Sequence, residues 1–399
     1  MNIENIINKY KTPFYLYDIS QLKSRIEMIR SHQQDIRLCY AMKAAPLLAG
    51  YIAPFVDRLE VCSPGEYEIC IRDNVKPQQI LVSGVNKTRE SMARILSLGG
   101  AAHFTIESPE HFEILEDVTR EFNQKNGSNQ KLNIYIRLTS GNQFGVDRVT
   151  LEELCQKVID SEYLDLVGIH YFSGTQKNLK KIENELTELT TVGQELRDNF
   201  SKDLSLEYGP GLGIDYFKSE KKTVDEELLA ELMEVVERTG IRNSYSDITF
   251  EYGRYIAATC GKYFTGVADV KTNDGTNYAI LQGGLHHITY YGSMAGMKVP
   301  YIDHISKSGQ QDTAPLHDYV LAGSLCSVND ILVRKISLPK LDIGDTLCFN
   351  LTGAYCATEG IALFLSRDLP AVVVVDENGS DNLVRDHIET NTFNGGYHG

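Results

Sequence analysis

None of the eight cysteines of this 399-residue chain forms a C-x-x-C pair, and no uninterrupted apolar run approaches a membrane span. There is also no basic cluster and no low-complexity tract. Each absence removes a class of function. The cysteines (Cys39, Cys62, Cys70, Cys155, Cys260, Cys326, Cys348 and Cys356) stand singly, so neither a zinc site nor a dithiol redox site is expected, and reduced thiols are. No metal is anticipated. A net charge of -15 and a pI near 5.2 disfavour nucleic acid and anionic membranes, leaving a small-molecule substrate as the expected partner. The start, Met1-Asn2-Ile3-Glu4-Asn5, has neither the basic nor the apolar part of a signal peptide, and a cytoplasmic protein is expected.

With 42% hydrophobic and 23% charged residues, the chain can bury two cores. Between about residues 36 and 252 short apolar runs alternate with longer helix-like stretches, the pattern of parallel β/α units. The strand candidates are Leu38 to Met42, Leu59 to Cys62, Ile80 to Ser83, Ala102 to Ile106, Asn133 to Leu138, Leu166 to His170, Leu204 to Tyr208 and Asp247 to Glu251. Eight such units predict a TIM barrel of the α/β class. Ile182 to Phe200 carries apolar residues at helical spacing. Beyond Cys260 the runs Tyr263 to Val270, Tyr278 to Gln282, Ile331 to Ile336, Thr346 to Leu351 and Ala371 to Val375 predict a separate β domain. The resulting division is 1–20, a segment whose Pro13 to Tyr17 run returns to pair with the β domain, 21–258, the barrel, and 259–399, the β-rich domain.

In a TIM barrel, chemistry belongs at the C-terminal ends of the strands. Here those ends are unusually polar. The first strand ends at Lys43, the second carries Glu60 and runs into Ser63, the fifth reaches Arg137, the sixth ends at His170 and the eighth at Glu251. A lysine amine can hold an aldehyde cofactor as a Schiff base, and a carboxylate can keep a pyridine nitrogen protonated so that the ring withdraws electrons. Together they suggest pyridoxal phosphate. The seventh strand runs into Gly209-Pro210-Gly211, where backbone N–H groups could approach a phosphate, although tight turns also use glycine for geometry alone. His170 opens His170-Tyr171-Phe172-Ser173-Gly174-Thr175-Gln176, so an imidazole could stack on a pyridine ring while Ser173 reaches the phosphate; a hydrogen-bonded rim histidine is the alternative.

These motifs resemble, in order and over nearly the whole chain, those of the fold-type III pyridoxal-phosphate decarboxylases, which include the diaminopimelate, ornithine and arginine enzymes. The match runs through Tyr40-Ala41-Met42-Lys43, Glu60 to Glu66, Gln143 to Asp147, the His170 motif, the Gly209 turn, Glu251-Tyr252-Gly253-Arg254, Gly323 to Asp330 and Gly353-Ala354-Tyr355. The resemblance implies Lys43 as the Schiff-base lysine, with Glu60 and Arg137 beside the cofactor. It implies His170 stacked on the ring, Glu251 at the pyridine nitrogen, and Ser173, Gly209, Gly211, Gly253, Arg254 and Tyr355 around the phosphate. Cys326 of a second subunit would protonate the carbon that carbon dioxide leaves, so that a homodimer shares its active sites.

Three departures bear on the substrate. Diaminopimelate and ornithine decarboxylases follow the equivalent cysteine with an acidic residue, and here Ser327 follows Cys326. Where the diaminopimelate enzymes place an arginine for the distal carboxylate, the alignment places Tyr290, and no arginine occurs between Arg254 and Arg334. The usual Glu-Pro-Gly-Arg is Glu251-Tyr252-Gly253-Arg254. A buried charge needs a partner, so an amino acid with a masked or tethered far end is expected, bounded by Ser327, Tyr290, His286 and Asp330. Within the family, the His286-His287 pair, the Gly174-Thr175-Gln176 run and Cys326-Ser327 are similar to the butirosin-pathway type, which acts on a glutamyl group held by an acyl carrier protein. The siderophore-pathway type is a nearby alternative, as are decarboxylation of free diaminopimelate or another basic amino acid, and racemisation. Glu251 speaks against racemisation, since racemases of this barrel place an arginine at the pyridine nitrogen.

Overall fold

A computed structural model describes residues 3–219, 223–308 and 315–395. The chain divides into two compact units, one of residues 25–213 and 223–256, the other of residues 1–24, 214–222 and 257–399.

After a first strand, β1 (Phe14–Asp18), eight strands follow in the first unit: β2 (Arg37–Ala41), β3 (Arg58–Val61), β4 (Ile80–Val82), β5 (His103–Ile106), β6 (Leu132–Arg137), β7 (Leu164–Phe172), β8 (Ser205–Gly209) and β9 (Ile248–Tyr252). They close in sequence order into a parallel barrel, β9 returning to β2 with Leu38 opposite Phe250 and Cys39 opposite Glu251. All eight strands read from the sequence are present. Near-continuous apolar runs such as Ile80-Leu81-Val82 and Ile134-Tyr135-Ile136 are buried, as strands covered on both faces require. One polar pair is enclosed with them. Arg58 on β3 meets Glu207 on β8 at 2.6 Å, and since these strands are not neighbours the pair spans the barrel interior, with the Tyr135 hydroxyl 3.0 Å from the same guanidinium nitrogen. Burial pushes the Glu207 carboxyl up to about 7, against the pull of Arg58.

The helices that follow the strands start at readable signals. Ser63, Ser108, Asp147 and Asn178 each accept a backbone N–H of the first turn of the helices Pro64–Arg72, Pro109–Asn126, Arg148–Asp160 and Leu179–Phe200. Proline occupies the first helical position of two of them, where its missing N–H costs nothing. Ser63 is thereby committed to a cap.

The second unit is a mixed sheet. Its strands are β1, then β10 (Gly261–Asn273), β11 (Thr276–Leu281), β12 (Ile302–Ile305), β13 (Leu316–Ala322), β14 (Ile331–Pro339), β15 (Thr346–Asn350), β16 (Ala371–Val375) and β17 (Asp381–Arg385). The order is β14-β13-β11-β10-β1-β16-β17, with β15 also on β10 and β12 on β15. β1 pairs antiparallel to β10 and parallel to β16, and Phe14 stacks on Phe264 at 4.8 Å over a core that includes Leu16, Val373 and Val375. A single boundary near residue 258 does not describe the division. The stretch after Gly213 leaves the barrel unit because Phe217 bridges to Pro300 and the Lys218 N–H donates to the Val299 carbonyl at 2.9 Å.

Candidate active site

The barrel strands converge four groups. Lys43 lies one residue beyond the Met42 that follows β2, and its ammonium reaches Glu60 of β3 at 2.6 Å and Glu251 of β9 at 3.7 Å. His170 of β7 places Nε2 3.2 Å from the other Glu251 oxygen, and its buried Nδ1 has no partner among the described residues. Burial alone would raise the Glu60 pKa, but the Lys43 ammonium and the His170 ring hold it well below the ordinary carboxylate range. Cys62 adds a thiol 3.3 Å from Glu60, and burial together with that carboxylate keeps it protonated. Glu60, His170 and Glu251 offer ligand atoms within 4.8 Å of one another, a spacing that would also suit a divalent cation; Lys43 already supplies positive charge there.

Next to this cluster, at the ends of β4 to β6, lies a second polar group. Arg137 pairs with Glu107 at 3.0 Å and lies 4.8 Å from the centre of the Phe144 ring. Glu107 Oε1 and Arg137 Nε are buried without partners among the described residues. Lys87 donates to the Gly84 carbonyl at 2.6 Å and to Thr105 at 3.2 Å, and burial lowers its pKa to about 8.

The glycine turn after β8 is constrained on several sides. Gly211 has φ +60°, and a Cβ there would fall 2.2 Å from the Gly174 carbonyl oxygen; a Cβ on Gly209 would fall 2.4 Å from the Phe172 ring. Only glycine fits. Ser173 donates its hydroxyl to Glu185, while Arg254, directly after Gly253, places Nε 3.3 Å from the Thr175 hydroxyl. Behind the turn sits Lys177, whose ammonium contacts Glu185 at 2.6 Å, the Gly209 carbonyl at 2.8 Å and Ser173 at 3.3 Å.

The residues expected from the second unit are brought together by backbone hydrogen bonds among three loops. Asp330 accepts the N–H groups of Leu285 and Leu325, each at 2.8 Å. One carboxylate oxygen thereby fixes the loop that carries Cys326 and Ser327, and the other fixes the loop that carries His286. Cys326 is exposed, and Ser327 accepts the Asn329 N–H at 3.2 Å. Tyr290 gives its hydroxyl to the Asn350 carbonyl at 2.6 Å and packs edge-on against Tyr216 and Phe217. His287 is held between the Tyr263 hydroxyl and the Asp368 carbonyl, whereas both ring nitrogens of buried His286 lack partners among the described residues. Tyr355 has φ +65°, an uncommon conformation for a residue with a side chain. The Thr289 N–H donates to the Cys356 carbonyl at 3.2 Å, joining the Tyr290 and Tyr355 loops.

Sequence reasoning passed over Lys177, Glu185, Lys87, Glu107 and Cys62. Lys177 stands in Gln176-Lys177-Asn178-Leu179-Lys180-Lys181, which reads as a solvated run. Only the return of β8 beside it encloses that one lysine. Glu107 had a detectable signal, because it follows the last residue of β5, the position that was scanned on other strands.

A family model described as "Pyridoxal-dependent decarboxylase, pyridoxal binding domain" matches residues 19–258. An L-glutamyl-[BtrI acyl-carrier protein] decarboxylase of Niallia circulans is 26% identical over 96% of this chain and 93% of its own length. A diaminopimelate decarboxylase of Aquifex aeolicus is 24% identical over 96% of this chain and 91% of its own. Among solved structures, a diaminopimelate decarboxylase of Helicobacter pylori complexed with L-lysine superposes with a TM-score of 0.84 at 21% identity, covering 98% of both chains. A lysine/ornithine decarboxylase of Vibrio vulnificus complexed with cadaverine gives 0.78 at 17% identity, over 94% of this chain and 97% of that one.

Proposed function

The chain belongs to the pyridoxal-dependent decarboxylases and uses pyridoxal phosphate, and from that premise we propose that it removes the α-carboxylate of an amino acid whose far end is uncharged because it is masked or tethered. The barrel residues fit the cofactor. Lys43 supplies an amine at the strand ends, the buried Nδ1 of His170 lacks a protein partner among the described residues, and the turn at Gly211 is closed so tightly against Gly174 that its backbone carries no side chain there.

When bound, the cofactor's pyridinium ring accepts the electron pair that the departing carboxylate leaves. In this reading Glu251, beside His170, would hold a proton on the ring nitrogen, and His170 would hold the ring. Glu60 takes the charge of the Lys43 ammonium and steers that amine. The residues that would hold the phosphate are those of the Gly209–Gly211 turn, with Ser173, Gly253, Arg254 and Tyr355. A second copy of the chain would complete each site: the partner's Cys326, exposed on its loop, would donate a proton to the carbon that loses the carboxylate. Asp330 acts at one remove, by holding the loop of that cysteine.

What carries the substrate reading is the pair Tyr290 and Ser327. Tyr290 stands in an aromatic group with its hydroxyl already given to the Asn350 carbonyl, so it offers no charge to a distal carboxylate, and Ser327 offers none to a distal ammonium. Leaving a substrate charge without a partner in a buried site costs several kcal/mol, roughly the margin on which such enzymes discriminate. The relative that acts on a carrier-bound glutamyl group supports the same reading, while the diaminopimelate decarboxylases among the relatives support the alternative. The test is carbon dioxide release by the cofactor-loaded protein from diaminopimelate, ornithine, lysine, arginine, a carrier-bound glutamyl thioester and a citryl-diaminopropionate conjugate. Release from a masked substrate alone is expected. Release from diaminopimelate or a free basic amino acid overturns the substrate reading.

A further inference from the structure

Lys177 is enclosed at the barrel mouth: its side chain is 1% exposed and it takes no part in the chemistry described above. It touches every part of the glycine turn. Its ammonium contacts the Gly209 carbonyl at 2.8 Å and the Ser173 hydroxyl oxygen at 3.3 Å, its backbone N–H donates to the Gly211 carbonyl at 2.9 Å, and its Cε would lie 2.8 Å from a Cβ on Gly211. Glu185, in the second turn of helix Leu179–Phe200, binds the ammonium at 2.6 Å and also accepts the hydroxyls of Ser173 and Tyr208. Burying a lysine and a glutamate together is costly, and a methionine opposite a leucine would hold the helix to the strand at least as well. Helix packing alone therefore does not account for this pair.

We propose that Lys177 is a positioning residue for a phosphate at the Gly209–Gly211 turn, and that Glu185 is the counter-charge that holds it until the phosphate arrives. The inference rests on the reading of that turn as the phosphate site. Ser173 cannot donate its single proton to a phosphate while donating it to Glu185. A dianionic phosphate draws that proton toward itself, and Glu185 keeps the Tyr208 hydroxyl and the Lys177 ammonium. The lysine then remains charged beneath the turn, fixing the Gly209 carbonyl away from the phosphate and adding its field to that of the backbone N–H groups. Burial lowers the Lys177 pKa, and Glu185 opposes that shift.

The experiment compares binding of pyridoxal phosphate with binding of pyridoxal, which lacks the phosphate, by absorbance titration of the full-length apoprotein. Lys177→Met and Lys177→Gln are each expected to weaken pyridoxal phosphate about tenfold while changing pyridoxal less than twofold. Glu185→Gln is expected to bind pyridoxal phosphate at least as tightly as the native protein. Equal losses for the two ligands in the lysine variants, or no loss, overturn the proposal. So does native binding by Lys177→Gln, which would assign the lysine a hydrogen bond and not a charge. If Lys177→Met fails to fold, the Gln variants at 177 and 185 decide. Gly211→Ala separates the premise from the inference: if it binds pyridoxal phosphate like the native protein, the turn is not the phosphate site.

Discussion

The barrel unit and the β unit hold their functional groups by opposite means. In the barrel, side chains hold side chains: Lys43 with Glu60, His170 with Glu251, Arg137 with Glu107 and Arg58 with Glu207 are opposed charges or hydrogen-bonding pairs mounted on strands. In the β unit, the loops are tied largely through their backbone. Asp330 ties two backbone N–H groups, Cys326 is exposed, and the ring nitrogens of His286 have no hydrogen-bond partner among the described residues. Opposed charges on strand ends give fixed geometry, and changing one strands the other. Loop side chains on a hydrogen-bonded backbone can be exchanged at little structural cost. Chemistry common to a family suits the first arrangement; specificity that varies among relatives suits the second.

The sharpest way to break this comparison is Lys43→Ala. Carbon dioxide release is expected to fall about a thousandfold or more, as for removal of other covalent groups, with loss of the visible absorbance of the bound cofactor. Activity within tenfold of native would show that the barrel mouth is not the seat of the chemistry. Arg58→Met probes the same unit far from that mouth. It leaves Glu207 buried without its cation, and urea unfolding is expected to show a loss of about 3–5 kcal/mol. A loss under about 1 kcal/mol would mean that the barrel does not depend on its internal pairs.

How far the sequence revealed each unit follows from the same contrast. All eight barrel strands were legible, because strands covered on both faces are written as short apolar runs between capped helices. Lys43, Glu60, His170 and Glu251 were legible because they break those runs at their C-terminal ends. In the β unit β12, β13 and β17 were missed. Ile302-Asp303-His304-Ile305 and Asp381-Asn382-Leu383-Val384-Arg385 are too short and too polar to stand out from loops, and pairing with β15 and β16 defines them. The backbone partners of Asp330 were not legible, because sequence gives a carboxylate's presence and not what it binds. Lys177 was hidden for the converse reason, since a lysine among lysines carries no mark of burial.

A smaller effect is expected from Cys326→Ala. As an exposed side chain on a loop held by other residues, it can be removed within about 0.5 kcal/mol of native stability. If the partner's Cys326 supplies the proton, turnover falls by about a hundredfold, and mixing this variant with Lys43→Ala restores part of the activity through hybrid dimers. No recovery on mixing would place both groups in one chain's own site.

The subtlest difference is in acid. Burial lowers the pKa of His103 to about 3 and of His111 to about 4 in the barrel unit, and of His286 to about 4 and His287 to about 3 in the β unit. In each case the unfolded chain, with a histidine pKa of about 6.5, binds a proton before the folded one does. Stability is therefore lost as pH falls below about 6.5, by about 1 kcal/mol per histidine between pH 7.5 and 5.5. The barrel has a compensating group. Glu207, raised by burial to about 7, binds its proton in the folded state well before the unfolded carboxyl does at about 4.5, so it returns stability over the same window. Hydrogen exchange at pH 7.5 and 5.5 is thus expected to show the β10 and β15 amides losing more protection free energy than those of β6 to β8. Replacing Glu207 with Gln removes the compensation, and the two units should then lose protection in parallel; a barrel that still resists acid would assign its resistance to other groups.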